Sequence, residues 1–177
     1  MKKNSPLISI GIRNGAIAAA VSISLLIAMY YMGRHPLMVS PFLDFRILLF
    51  GVFIFFSLRE FRDVHQEGAL YFWQGMIGSF VMVMVTATVA SLLLLAFCAI
   101  ESTFIPSYIK AATEYFKTFP REDIDRIGKE VYERNLSLLP STNSKQMAGL
   151  YFAQSIMIGL FVSIILSVIL RKQPKTE

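Results

Sequence analysis

Asp44, Arg46 and Glu101 are the residues of this sequence best placed for chemistry, because each interrupts or borders a long apolar stretch where charge is costly to hold. A carboxylate and a guanidinium two positions apart can pair with each other, and the same groups can bind a polar ligand. An ion pair at an interface and a small polar binding site at Asp44, Arg46 and Glu101 are therefore both open on the residues alone. His35 and His65 are the two histidines, and neither has a partner at metal-ligating spacing. Cys98 is the single cysteine, so an internal disulfide and thiolate-rich metal sites are excluded. Inside an apolar run it reads as a small packing residue. The chain has no G-x-S-x-G, no phosphate-cradling glycine loop and no paired-histidine motif. The expectation is a protein that is not an enzyme, with no catalytic residue, no metal site and no cofactor.

The elements that would carry these residues follow from composition. With 55% hydrophobic residues and a mean hydropathy of +0.56, the chain is too apolar for an ordinary soluble fold. Its formal charge of +5 does not mark a nucleic-acid binder, because residues 101–146 balance seven Lys/Arg with seven Asp/Glu. The excess sits beside the apolar segments, where it sets topology and suits anionic lipid headgroups.

Residues 15–32 form about 27 Å of helix, enough with their flanks to cross a hydrocarbon core of about 30 Å. Tyr31-Met32-Gly33 is a poor cleavage site, so this segment is expected to stay as a helix. Ser40-Pro41 resembles a helix start, leading into a short second span at 42–58 that holds Asp44 and Arg46 in its first turn. A third span covers 71–100, with Tyr71, Phe72 and Trp73 as an aromatic belt, and a fourth covers 148–170. The fold expected is an all-α membrane protein, a single four-helix bundle over residues 1–177. Its long loop, 101–146, carries two amphipathic helices.

Lys2, Lys3, Arg13, Arg59, Arg62, Arg171, Lys172 and Lys175 fall on one side of four spans, against Arg34 and a borderline Arg46 in the opposite short loop, while the seven Lys/Arg of the 46-residue loop weaken the bias. Positive charge is retained in the cytoplasm, so both termini are expected inside and residues 101–146 outside. In that loop Tyr108, Ile109, Ala112, Tyr115, Phe116 and Phe119 recur with a helical period. This face can lie in the membrane interface, cap the bundle or receive a partner.

Helices in lipid associate through small residues that let backbones approach. Ala16, Ala20, Ser24 and Ala28 form such a stripe, as do Ser155, Gly159, Ser163 and Ser167, with Gly75, Ser79, Ala87, Ser91 and Ala99 a broken one. The second span has Gly51 among phenylalanines and is expected at the periphery, rings toward lipid, beside a tight core of spans one, three and four. Tyr71-Phe72-Trp73-Gln74 and Tyr151-Phe152-Ala153-Gln154 echo each other, from a shared interface role or from duplication.

Arg59 to Arg62 closing the second span, Gly68 and Phe72-Trp73-Gln74-Gly75 opening the third, Phe104-Ile105-Pro106 after it, and the final Arg171-Lys172 together resemble the bacterial four-span membrane proteins of domain-of-unknown-function family 4199. The resemblance covers nearly the whole chain and implies the bacterial inner membrane; it carries over no catalytic residues. The leading expectation is a non-enzymatic accessory protein whose partners are membrane lipids, with a membrane-protein partner or a homo-oligomer also open. A small transporter or lipid-handling subunit would instead line a path with Gln74, Thr86, Thr88, Ser91 and Gln154. An enzyme on a lipid-linked substrate would use Asp44 or Glu101.

Overall fold

The computed structural model describes residues 6–39 and 43–173. The helix start expected at Ser40-Pro41 and the charges of Lys2, Lys3 and Lys175 lie outside the described residues. The elements are helical throughout: α1 (Pro6–Tyr31), α2 (Phe45–His65), α3 (Phe72–Ile100), α4 (Phe104–Lys117), α5 (Arg121–Ile127), α6 (Lys129–Leu138) and α7 (Ser144–Ile169), with short 3-10 turns at Pro36–Met38 and Leu139–Ser141. Among the described residues, one antiparallel bridge, Leu70 to Lys172, ties the α2–α3 turn to the chain after α7.

Three of these helices, α1, α3 and α7, are long and apolar enough to cross a membrane, the mark of a membrane-integral chain. Less than half of each is buried within the protein. Leu25, Phe80, Leu92, Met157, Phe161 and Val168 point outward from them, a burden of apolar surface that water would not tolerate and acyl chains solvate. Helix α2 is different. Its uncharged stretch, residues 47–58, covers about 18 Å between Arg46 and Arg59, well short of a hydrocarbon core.

Helix α3 is central, packed along α1 on one side and α7 on the other. Close approach depends on glycine at two points. A Cβ on Gly15 would stand 2.8 Å from the Met82 carbonyl oxygen of α3. A Cβ on Gly159 would stand 2.7 Å from Val83 Cγ2 and closer still to Val83 Cγ1. Interhelical hydrogen bonds supplement this packing: Thr86 Oγ1 donates to the Gly15 carbonyl at 3.1 Å and Asn14 Nδ2 to Ser57 Oγ at 2.9 Å.

Several sequence boundaries shift for identifiable reasons. Helix α1 begins at Pro6, because Leu7 and Ile10 belong to the buried core. Helix α2 continues past Leu58 to His65 because Phe61 is buried with Phe50, Ile54 and Leu58 on one helical face. That face corrects the expectation of a span with its rings toward lipid: Phe50 is fully enclosed, Phe53 and Phe55 are half-buried, and Phe56 points out. The second amphipathic segment is split into α5 and α6 at Gly128, whose φ of +93° an L-residue rarely adopts.

Helices α4–α6 and the Pro36–Met38 turn share the end of the bundle where α1 and α3 finish and α7 begins, here termed the loop end. The α2–α3 turn and the chain beyond α7 share the opposite, terminal end.

Candidate functional site

A buried polar knot near the loop end is the strongest cluster of chemistry-bearing groups. Asp44 caps α2, its Oδ1 accepting the Arg46 backbone N–H at 2.9 Å, which holds the aspartate at the helix's positive end. The Arg46 side chain folds back onto that carboxylate, with Nε at 2.9 Å from Oδ1 and Nη2 at 2.5 Å from Oδ2. The two side chains are only 3% and 5% exposed. Nη1 donates to the Tyr151 carbonyl at 3.2 Å and to Ser155 Oγ at 3.0 Å, and Nη2 also donates to Gln154 Oε1 at 2.8 Å. The guanidinium carbon lies 4.6 Å from the Tyr151 ring centre, a cation–π contact. Tyr151 OH shares a 2.5 Å hydrogen bond with Ser22 on α1.

Every N–H of the guanidinium thus has an acceptor inside the protein. A saturated, solvent-excluded pair has no donor left for a ligand and acts as a clamp, joining α2 to α7 and, through Tyr151, to α1. Glu101, expected in the same cluster, stands elsewhere. It caps the end of α3, accepting from Tyr31 OH at 3.1 Å, from Thr103 N at 3.3 Å and from the Thr103 hydroxyl, and these bonds lower its pKa. The physical reason is direction: Asp44 and Arg46 lie on the inward face of α2, whereas Glu101 has left the last turn of α3 among residues that face out. Tyr151, Gln154 and Ser22 were not legible as clamp partners, since nothing local in the sequence links them to position 46.

The small-residue stripes divide. Ser155, Gly159, Ser163 and Ser167 all face the interior of the bundle, and Gly75 and Ser79 meet them from α3, with a Cβ on Gly75 placed 2.9 Å from Ser167 Oγ. Ala16, Ala20, Ser24 and Ala28 correct the expectation for the first span, because all four are exposed. The packing face of α1 is instead Gly11, Gly15, Ala18, Ala19 and Ser22. An alanine-rich helix offers a small stripe on more than one side, and α3 takes the one bearing glycine, where backbones come nearest.

The residues that could have lined a transport path do not converge. Gln74 Oε1 accepts the Tyr71 N–H at the terminal end, Thr86 bonds α1, Thr88 faces out and Gln154 belongs to the clamp. The aromatic echo likewise fills unlike places: Tyr71 is exposed at the terminal end and Tyr151 is enclosed near the loop end.

Residues 101–146 fold over the loop end. Phe104 and Ala112 of α4 are buried, and the Phe104 ring packs tilted against Tyr30 and edge-to-face against Phe97. Tyr108 and Ile109 are half-buried, Phe116 and Phe119 pack with Tyr132 of α6, and Tyr115 is 56% exposed. His35 sits within this layer, 4.7 Å from the Phe104 ring and 5.3 Å from that of Tyr108, both ring nitrogens buried without a hydrogen-bond partner. Burial pulls its pKa from 6.5 down to about 4, against a smaller upward effect of the Phe104 backbone. The unfolded chain binds this proton below pH 6.5 and the folded chain resists it until about 4, so the stability His35 confers is complete above 6.5 and lost as pH falls toward 4. His35→Phe is expected to flatten that part of the decline, measured as melting temperature in detergent between pH 7 and pH 4.5. An unchanged slope in the variant would contradict the assignment.

Between α4, α6 and the start of α7 lies a groove of about 320 Å³, lined by Tyr108, Phe116, Asn135, Leu138, Met147 and Leu150 among others. Among the described residues, no group of three His, Cys, Asp or Glu could hold a metal ion. No curated protein and no solved structure matches the chain. The sequence profile of a family described as "Protein of unknown function (DUF4199)" matches residues 13–172. With that match running from the first turns of α1 to the strand-like bridge after α7, the chain belongs to the DUF4199 family.

Proposed function

We propose that this protein is a non-enzymatic accessory component of the bacterial cytoplasmic membrane. Its helical cap, α4–α6, works at the outer membrane edge on lipid or on a membrane-bound partner. The observation that carries this reading is the cap's uneven burial: Phe104, Ala112 and Leu139 are buried, while Tyr115, Val131 and Leu138 stay exposed. Exposed aromatic and aliphatic groups at that height match the composition of a membrane–water interface.

In this reading α2 crosses as a fourth span. Arg46 at its loop end needs no lipid headgroup, being neutralised within the protein, and Arg59 and Arg62 at the other end reach the headgroup layer while Arg62 pairs with Asp63 at 2.7 Å. In this reading the termini are cytoplasmic: Arg13, Arg59, Arg62, Arg171 and Lys172 lie beside the spans on the terminal side against Arg34 in the turn after α1, a bias that the seven Lys/Arg of residues 101–146 oppose in part. A reporter fused after Glu177 should read as cytoplasmic, and one inserted in the α5–α6 turn at Gly128 as exported.

A photoreactive amino acid placed at Tyr115 in intact cells tests the role itself. The expected product is a lipid adduct or one recurrent membrane-protein adduct; a protein recovered without any adduct would end this reading.

A further inference from the structure

Resting on the proposed role of the cap at the membrane edge, we propose that the groove between α4, α6 and α7 is a binding site for one acyl chain of a membrane lipid, entering from the bilayer along α7. Its size suits such an occupant: about 320 Å³ is at the lower end of ligand sites, which span about 300–1,000 Å³, and holds part of a single chain rather than a whole two-tailed lipid. Its chemistry suits it as well. Phe116, Leu138, Leu139, Met147 and Leu150 supply apolar walls, and no Lys, Arg, Asp or Glu lines it. A charged or strongly polar ligand would lose its hydration there without a countercharge, whereas a hydrocarbon chain loses nothing.

The route in is written on α7. From Leu150 in the groove, steps of three and four residues lead through Ala153, Met157, Phe161, Ile164 and Val168, and every residue after Leu150 in that series is exposed. The groove floor is thus the upper end of the stripe that α7 presents to acyl chains, with no polar residue on the path between them. The polar residues that share the lining, Tyr108, Asn135, Thr142 and Gln146, are neutral. Gln146 Oε1 accepts the Asn143 N–H in the cap of α7, which leaves its amide hydrogens as the donors for an ester or headgroup oxygen. Leu138, 56% exposed on the α6 wall, is covered once the chain is in place.

The test uses the full chain in nanodiscs of phosphatidylethanolamine and phosphatidylglycerol doped with phosphatidylethanolamine that carries a diazirine near the end of one acyl chain. After irradiation, adducts are mapped by mass spectrometry. Adducts are expected on Phe116, Leu138 and Met147 as well as on the lipid-facing Met157 and Phe161. Leu138→Trp, which fills the groove, should lower the groove adducts about tenfold or more and leave those on Met157 and Phe161 unchanged, the latter also showing that the variant is inserted. Groove residues labelled no more than the remote, exposed Ile127, or labelled equally in Leu138→Trp, would overturn the site. If Leu138→Trp does not insert, the wild-type comparison with Ile127 decides alone. An unlabelled groove in a chain whose Tyr115 crosslinker still captures lipid or protein would defeat this site and leave the role of the cap standing.

Discussion

Arg46→Ala is expected to cost the fold about 3–5 kcal/mol, the usual penalty for stranding one partner of a buried ion pair. Asp44, 5% exposed in the wild type, would be left with its charge unmatched, and the Tyr151 carbonyl, Ser155 and Gln154 would each lose a donor. Arg46→Lys should restore little, because an ammonium is a point donor and cannot reach the Asp44 carboxylate, Gln154, Ser155 and the Tyr151 carbonyl together as a planar fork does. Asp44→Asn combined with Arg46→Met should recover at least half of the loss, since neither buried charge survives and asparagine still caps α2. The measurement is the unfolding midpoint in detergent titrated with a denaturing surfactant. If Arg46→Ala melts with the wild type, the pair is hydrated and the clamp does not exist. The consequence for the proposed role is direct: without the clamp, α2 has about 18 Å of uncharged helix and a bare charge at its loop end, and should insert poorly.

Gly159→Leu should destabilise the bundle by more than the 1–3 kcal/mol or so usual for overpacking a core. Even the first added carbon lands on Val83, at 2.7 Å from Cγ2 and 3.1 Å from Cβ, and a β-branched side chain held at its Cβ cannot rotate away. The α3–α7 contact is the most extensive in the protein, so a forced separation spreads along both helices. Phe55→Leu, by contrast, trims a half-buried ring at the edge of the core and should cost much less. The nature of each neighbour gives a sharper comparison. Gly159→Ala should be rescued by Val83→Ala, which removes the obstructing methyls. Gly15→Ala should resist rescue by Val85→Ala, because the Met82 carbonyl oxygen at 2.8 Å is backbone and stays in place. Equal melting temperatures for Gly159→Leu and Phe55→Leu would show that α3 and α7 do not pack through this glycine.

How far the sequence reaches is clearest in paired cases. On α7 the stripe Ser155, Gly159, Ser163 and Ser167 could be read from spacing alone, because over residues 154–169 the small residues all fall on one face with large ones elsewhere. On α1 the same rule selects Ala16, Ala20, Ser24 and Ala28, which face outward, since small residues lie on several sides of the helix and only contact with α3 selects among them. Asp44 and Arg46 could be paired in advance because two residues span a distance that a side chain bridges. Glu101 could not be separated from them, and Tyr151, Gln154 and Ser155 could not be joined to them, since those relations depend on how α2, α3 and α7 are rotated against one another.

What the sequence determined by itself is the solvent and the elements: apolar runs too long and too bare of charge for water, broken by glycine, proline and polar turns. These are local properties, fixed by transfer free energy and by the period of the helix. Only the tertiary structure decided which side of each helix faces a neighbour, that Arg46 is saturated rather than open to a ligand, and that the folded cap leaves a groove at the top of the α7 stripe. Each of these depends on a few ångströms of rotation or approach between segments distant in the chain, and a linear pattern does not record that quantity.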